Sequence, residues 1–266
     1  MHLGRTVFPM NNVMLGFVGS LAAGLMTALG AVPILIGKPI ARQWNDALLG
    51  FAAGVMLAAS FFSLIIPSIE ASTALYGAGA IPALIAGAGI ILGVATIYLL
   101  DESIPHQHFI SGREGPDAIR LSKIWLFVLA ITLHNIPEGM AVGIGFGGGD
   151  ITAGTTLAIG IGLQNAPEGL AVALALRSEG YSKFYAFTIA GLSGLVEPVA
   201  GLFGAGAVGI SQSMLPWGLT FAAGAMIYVI SHEIIPETHR HGHQKAATAG
   251  LTIGLVLMMF LDVTFA

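Results

Sequence analysis

Cysteine is absent from the 266 residues, which excludes disulfides, thiolate nucleophiles and cysteine-based zinc sites in any compartment. Charge is nearly as scarce. Asp, Glu, Lys and Arg together make 9% of the chain, against about 25% in an average soluble domain, and a water-facing surface cannot be built from that supply. The net charge of −4 therefore says less than where the charges stand. Lys and Arg are missing from the middle of every apolar stretch, so no internal salt bridge is available there. Also missing is a His-Glu-x-x-His run: after His232-Glu233, Pro236 stands where the second histidine would be.

What the chain has is apolar length. Hydrophobic residues make 55% of it, and the 37 glycines are about twice the usual share. They fall inside apolar stretches, as in the small-residue series Gly16, Ser20, Gly24, a spacing that lets membrane helices pack closely. A transmembrane helix needs about 20 mostly apolar residues. Eight stretches qualify: 13–36, 45–67, 80–100, 124–146, 151–176, 184–209, 216–236 and 247–265. The expected fold is all-α, one polytopic membrane domain over 1–266 with eight spans in a single bundle. Of basic side chains only His2 and Arg5 precede the run from Val13 to Ile36, which is too long for a signal h-region and is expected to remain as a span. The longest break, Asp101 to Lys123, holds Pro105, Gly112, Gly115 and Pro116 and reads as a polar loop.

Basic residues set the orientation. Lys38 and Arg42 fall in the first loop, Arg113, Arg120 and Lys123 in or beside the third, Arg177 and Lys183 in the fifth, and Arg240 and Lys245 in the seventh. Only Arg5 opposes them. The alternation predicts that both termini face outward and that the odd-numbered loops are cytoplasmic.

Spans four and five repeat one pattern: His134-Asn135-Ile136-Pro137-Glu138-Gly139 and Gln164-Asn165-Ala166-Pro167-Glu168-Gly169. Each lies about ten to thirteen residues into its span, hence near the bilayer midplane at ~1.5 Å per residue. Residues four apart share a helix face, so His134 projects with Glu138 and Gln164 with Glu168, while Asn135 and Asn165 stand beside them. Pro137 and Pro167 lack an N–H and free the carbonyls of Leu133 and Leu163, as in the broken-helix sites of transporters.

An acidic residue at the centre of a span costs at least ~2.5–3.5 kcal/mol, and Glu138, Glu168 and Glu197 multiply that cost. With no basic partner at that depth, protonation or a bound metal must offset it. Imidazole, carboxylate and amide oxygen suit zinc, iron and manganese, and Met56, central in the second span, offers a soft thioether. Glu197 precedes Pro198, again an acid at a helix irregularity. His232 and Glu233 are candidates for a further contact along the route. Asp101 at the end of the third span, His106 and His108 in the third loop, and His239, His241 and His243 in the seventh are candidates for an exit, with solvated loop polarity as the plain alternative. For the buried residues the plain alternatives are hydrogen-bonded pairs and packing.

These residues resemble the ZIP (Zrt-, Irt-like protein) transporters, and more closely their bacterial GufA-like branch. The fourth-span motif is similar to the family signature, and Gln164 to Gly169 to the GufA-like fifth-span form; Met56, Glu197-Pro198 and Ile235-Pro236-Glu237-Thr238-His239 extend the likeness along the chain. The resemblance implies an eight-helix fold with outward termini, an elevator-like movement of spans 1, 4, 5 and 6 against 2, 3, 7 and 8, a homodimer and a binuclear site. It implies a transport site of Met56, His134, Glu138, Gln164 and Glu168. An adjacent site would use Asn135, Asn165 and Glu197, with Glu138 and Glu168 bridging. The histidine-rich fifth-span motif of many relatives, His-Glu-x-Pro-His-Glu, is not present. Asn165 also stands where some close relatives carry aspartate, which leaves three glutamates against two divalent ions and predicts a weak or regulatory second site.

The expected function is uptake of a divalent transition metal, zinc foremost and also cadmium, iron or manganese, across the plasma (inner) membrane. Metal is then substrate, not cofactor, no enzyme activity is called for, and the partners are metal ions and the lipid bilayer, with no nucleic acid. A metal-binding receptor without flux would present the same ligands. An intramembrane metalloprotease should carry His-Glu-x-x-His and an open water position, and the chain encodes no such motif.

Overall fold

The computed structural model describes residues 9–37, 41–103, 106–108, 112–114, 123–178, 180–240 and 242–265. The expectations on His2, Arg5, Lys38, Pro105, Gly115, Pro116, Arg120 and His241 fall outside these residues. The helices are α1 (Asn11–Ile36), α2 (Arg42–Tyr76), α3 (Ala80–Ser103), α4 (Lys123–Gly147), α5 (Ile151–Ser178), α6 (Lys183–Ile210), α7 (Met214–His239) and α8 (Gln244–Phe265). Among the described residues, seven of these are long and apolar enough to cross a membrane. The remaining one, α4, is 25 residues long and contains Pro137. Between α3 and α4 the chain forms a short antiparallel hairpin, β1 (His106–His108) with β2 (Gly112–Glu114), in which His106 faces Glu114. The polar-loop reading gave no sign of it, because three-residue strands are too short to show an alternation.

Glycine decides which helices approach. Gly50 and Gly54 of α2 meet the α8 backbone at Ala247 and Leu251, and Gly250 and Gly254 of α8 return the approach at Ala47 and Phe51. Gly93 of α3 meets Phe221 of α7, and Gly224 of α7 meets Ile90 of α3. A second set ties α1, α4, α5 and α6: Gly24 with Gly194, Gly30 with Ala166, Gly143 with Gly201, and Gly169 with Thr27. A methyl at any of these positions would strike backbone, so each set packs main chain against main chain. Between the two sets the contacts are softer. Gly160 of α5 faces the Met258 side chain of α8, and Gly218 of α7 faces that of Ile144 of α4. An apolar groove lined by Thr152, Thr155, Thr156, Ile159, Leu261 and Phe265 opens between α5 and α8.

Burial follows this arrangement. The most apolar stretch of α5 is 72% buried, whereas those of α3 and α8 are 28% buried, so α5 is central and the other two present apolar surface outward. Two helices contain a wide turn: 59–65 in α2 and 230–234 in α7 are π-helical. Each precedes a proline, Pro67 or Pro236, whose ring would clash with the carbonyl four residues back and which has no N–H to donate. Widening the turn relieves both problems. The two segments also share a sequence, Ala52-Ala53-Gly54-Val55-Met56 with Ile65-Ile66-Pro67 in α2, and Ala222-Ala223-Gly224-Ala225-Met226 with Ile234-Ile235-Pro236 in α7.

Candidate metal centre

The repeated motifs of α4 and α5 meet in the interior, and α6 joins them. His134, Asn135, Glu138, Gln164, Asn165, Glu168 and Glu197 are all at most 3% exposed. Local sequence explains the placement. The final glycine of each motif is a close-approach point: Gly139 lies against the backbone of Glu197, and Gly169 against that of Thr27, so larger residues there would push α6 and α1 away. Helix α6 is interrupted at Leu195, between its segments Lys183–Gly194 and Val196–Ile210. Glu197 thereby falls in the first turn of the second segment, where free N–H groups and the helix dipole favour an anion.

The asparagines are oriented by their donors. Asn135 Nδ2 donates to the Ser193 carbonyl (2.8 Å). Asn165 Nδ2 donates to the Ala23 carbonyl (3.0 Å) and to Glu197 Oε1 (2.8 Å). With the amide protons used this way, both asparagines keep their oxygens for the interior, and neither Oδ1 has a hydrogen-bond partner. Both carboxylate oxygens of Glu138 and of Glu168, Oε2 of Glu197, and the Gln164 amide are likewise buried without an aligned partner, although the Gln164 amide approaches the Glu138 carboxylate. The Glu138 carboxylate interacts with the charges of Glu168 and Glu197. Among the described residues no lysine or arginine is buried with them. Such a set of oxygens suits a cation, because buried polar groups are otherwise nearly always hydrogen-bonded and a buried charge needs a counter-charge.

His134 sits at the edge of this cluster. Its Nε2 is 2.5 Å from Oε1 of Glu233 on α7, and its Nδ1 is buried without a partner. The charges of Glu168 and of Asp101, itself 3% exposed on α3, reach it. Among the described residues no three His, Asp or Glu side chains form a finished metal cage by themselves. An ion held here therefore needs amide oxygens in its shell, or a small closing of the carboxylates around it.

Met56 is 1% exposed in the apolar core with Met226 and Met258. The His232 ring stacks on Tyr228 with centroids 5.0 Å apart. His239 Nδ1 contacts the Ile235 carbonyl and the Thr238 hydroxyl, both at 2.9 Å, and His243 Nδ1 pairs with Asp46 Oδ2 at 2.8 Å. Of His106 and His108 only the backbone is described. Glu102, next to Asp101, is exposed and accepts a hydrogen bond from the Tyr98 hydroxyl (2.5 Å). Sequence reasoning passed over two buried acids: Asp46, and Asp262 of α8, which accepts a hydrogen bond from Ser63 (2.6 Å). Asp46 lies near a helix start and Asp262 near a helix end, where an acid usually meets water, so nothing in their spacing marked them.

A family model described as ZIP Zinc transporter matches residues 110–262. The zinc transporter GufA of Myxococcus xanthus is 45% identical over 249 residues, covering 94% of this chain and 98% of its own length. Zinc transporter ZIPB of Bordetella bronchiseptica is 48% identical over 257 residues, covering 95% and 82%. Human zinc transporter ZIP11 is 37% identical over 334 residues, covering 95% and 98%.

Proposed function

This chain belongs to the ZIP zinc transporter family and is an integral multi-pass membrane protein, and from that premise we propose that it carries zinc into the cytoplasm through the donor cluster of α4, α5 and α6. One observation carries the reading: three glutamates and two oriented asparagine oxygens converge in the buried interior, and among the described residues no lysine or arginine is buried with them to neutralise them. A divalent ion exchanging its water shell for these oxygens and the His134 imidazole supplies the missing charge. His134, Glu138, Gln164 and Glu168, with Met56 from α2, form the transport position. Asn135, Asn165 and Glu197 form a second, weaker position beside it, sharing Glu138 and Glu168. Cadmium, iron and manganese fit the same donors.

The movement we propose is an elevator, with α1, α4, α5 and α6 shifting as one piece against α2, α3, α7 and α8. The glycine contacts support it, since backbone meets backbone within each set, whereas Gly160 and Gly218 face the side-chain ends of Met258 and Ile144 across the seam. Main-chain contacts resist sliding, whereas methionine and isoleucine side chains can repack. The basic odd-numbered loops face the cytoplasm under this reading, and the working unit is a homodimer in the inner membrane.

Flux separates a carrier from a receptor. Proteoliposomes loaded with a zinc-sensitive dye should fill at a rate that saturates with external zinc. Binding without filling would make the chain a receptor, and filling that rises without saturation would make it a channel.

A further inference from the structure

We propose that Glu233 is a positioning residue for His134: its carboxylate takes the Nε2 side of the imidazole and leaves Nδ1 as the nitrogen that binds the transported ion. The inference rests on the transport-site reading above and adds which ring nitrogen ligates and what holds it.

The geometry has three parts. His134 Nε2 stands 2.5 Å from Glu233 Oε1, a separation at which two bare lone pairs would repel and at which the pair can share a proton once aligned. The two ring nitrogens point apart, and Nδ1 is buried with no hydrogen-bond partner, while the charge of Glu168 reaches the same ring. The ring is therefore gripped on one side and keeps a buried, unpartnered nitrogen on the other. Metal-ligating histidines almost always donate their second N–H to a carboxylate, carbonyl or water, which fixes the tautomer and raises the basicity of the ligating nitrogen. The Nε2 contact is short but off the line of a good hydrogen bond, and a small turn of the ring as the ion arrives brings it into line.

Glu233 reaches His134 from an unusual stretch of backbone. It lies in the wide turn 230–234 of α7, where one extra residue per turn re-aims the side chains that follow, and such turns recur at functional sites. Glu233 and His134 also belong to different helix sets, α7 and α4, so their contact crosses the seam. The grip on the imidazole exists only in the register that brings α4 beside this turn. Ion affinity is thereby tied to the position of the moving set, firm where Glu233 is present and loosened where it is not.

The test is calorimetric zinc titration of the purified full-length protein in detergent. Glu233→Ala is expected to weaken zinc binding by about 10–100-fold. Glu233→Gln, whose side-chain oxygen still accepts from Nε2–H and whose shape is nearly unchanged, is expected to bind close to the natural protein. If the glutamine variant loses as much as the alanine variant, the carboxylate charge itself is required and Glu233 is a ligand. An alanine variant that binds as tightly as the natural protein also overturns the proposal. Absence of zinc binding by the natural protein would instead remove the transport-site reading on which it rests.

Discussion

Histidine, carboxylate and amide side chains gather in two places in this chain, and they are committed differently. At the seventh-loop end of the bundle each has a protein partner. His243 is held by Asp46, His239 by its own helix carbonyl and hydroxyl, Gln244 donates to the His239 carbonyl, and Glu237 has Arg240 within 3.7 Å. In the interior cluster the donors Glu138, Gln164 and Glu168 have no aligned partner, and the two asparagines use only their N–H groups. Residue type is the same in both places. What separates the two places is the number of buried acceptors without an aligned hydrogen bond, several in the cluster against Glu237 Oε2 beside Arg240 at the seventh-loop end, and each such acceptor costs about 1–3 kcal/mol unless something fills it.

The widest gap between the two regions should appear on removing a carboxylate. Glu138→Ala or Glu168→Ala is expected to reduce zinc uptake into proteoliposomes by more than about 100-fold, beyond the range that loss of a supporting partner brings. Retention of uptake in both variants would place the transport route elsewhere.

Much of this contrast was legible before any coordinates. The duplicated motif, at 134–139 and 164–169, put two donor sets at equal depth, and the apolar runs fixed a multi-span helical bundle. The asparagines, by contrast, show their orientation only through Ala23 and Ser193 on neighbouring helices. The pairing of His134 with Glu233 joins positions 99 residues apart (233 minus 134), and no local period encodes it. A proline such as Pro67 or Pro236 can kink or break a helix, and that the backbone answers here with a widened turn depends on packing. Nothing near Asp46 in the sequence marks it, because its partner, His243, comes from the opposite end of the chain.

A middle-sized effect should come from Asn165→Asp. The asparagine amide donates to Glu197 and to the Ala23 carbonyl; aspartate loses both donations and sets a fourth carboxylate against the other three. Without metal the variant should be less stable than the natural protein. With zinc the order reverses, since four carboxylates balance two divalent ions, and the second ion should bind more tightly by calorimetry. Zinc should therefore raise the variant's melting temperature more than it raises that of the natural protein. An equal rise in both would show that the uncharged residue does not limit the second position.

The smallest effect on transport is expected at His243. Asp46 is 1% exposed, so His243→Ala removes a donor from a buried acid and should lower stability by about 1–3 kcal/mol. Uptake by the protein that remains folded should saturate at the same zinc concentration and reach the same maximum per molecule, because the contact lies outside the cluster. His243→Gln tests the distinction: its amide N–H can still donate to Asp46 and should recover the lost stability in thermal unfolding. If His243 instead received the departing ion, a neutral amide would be a poor substitute for imidazole. The glutamine variant would then be as stable as the natural protein and slower at saturating zinc, and the seventh-loop end would have to be counted as part of the route.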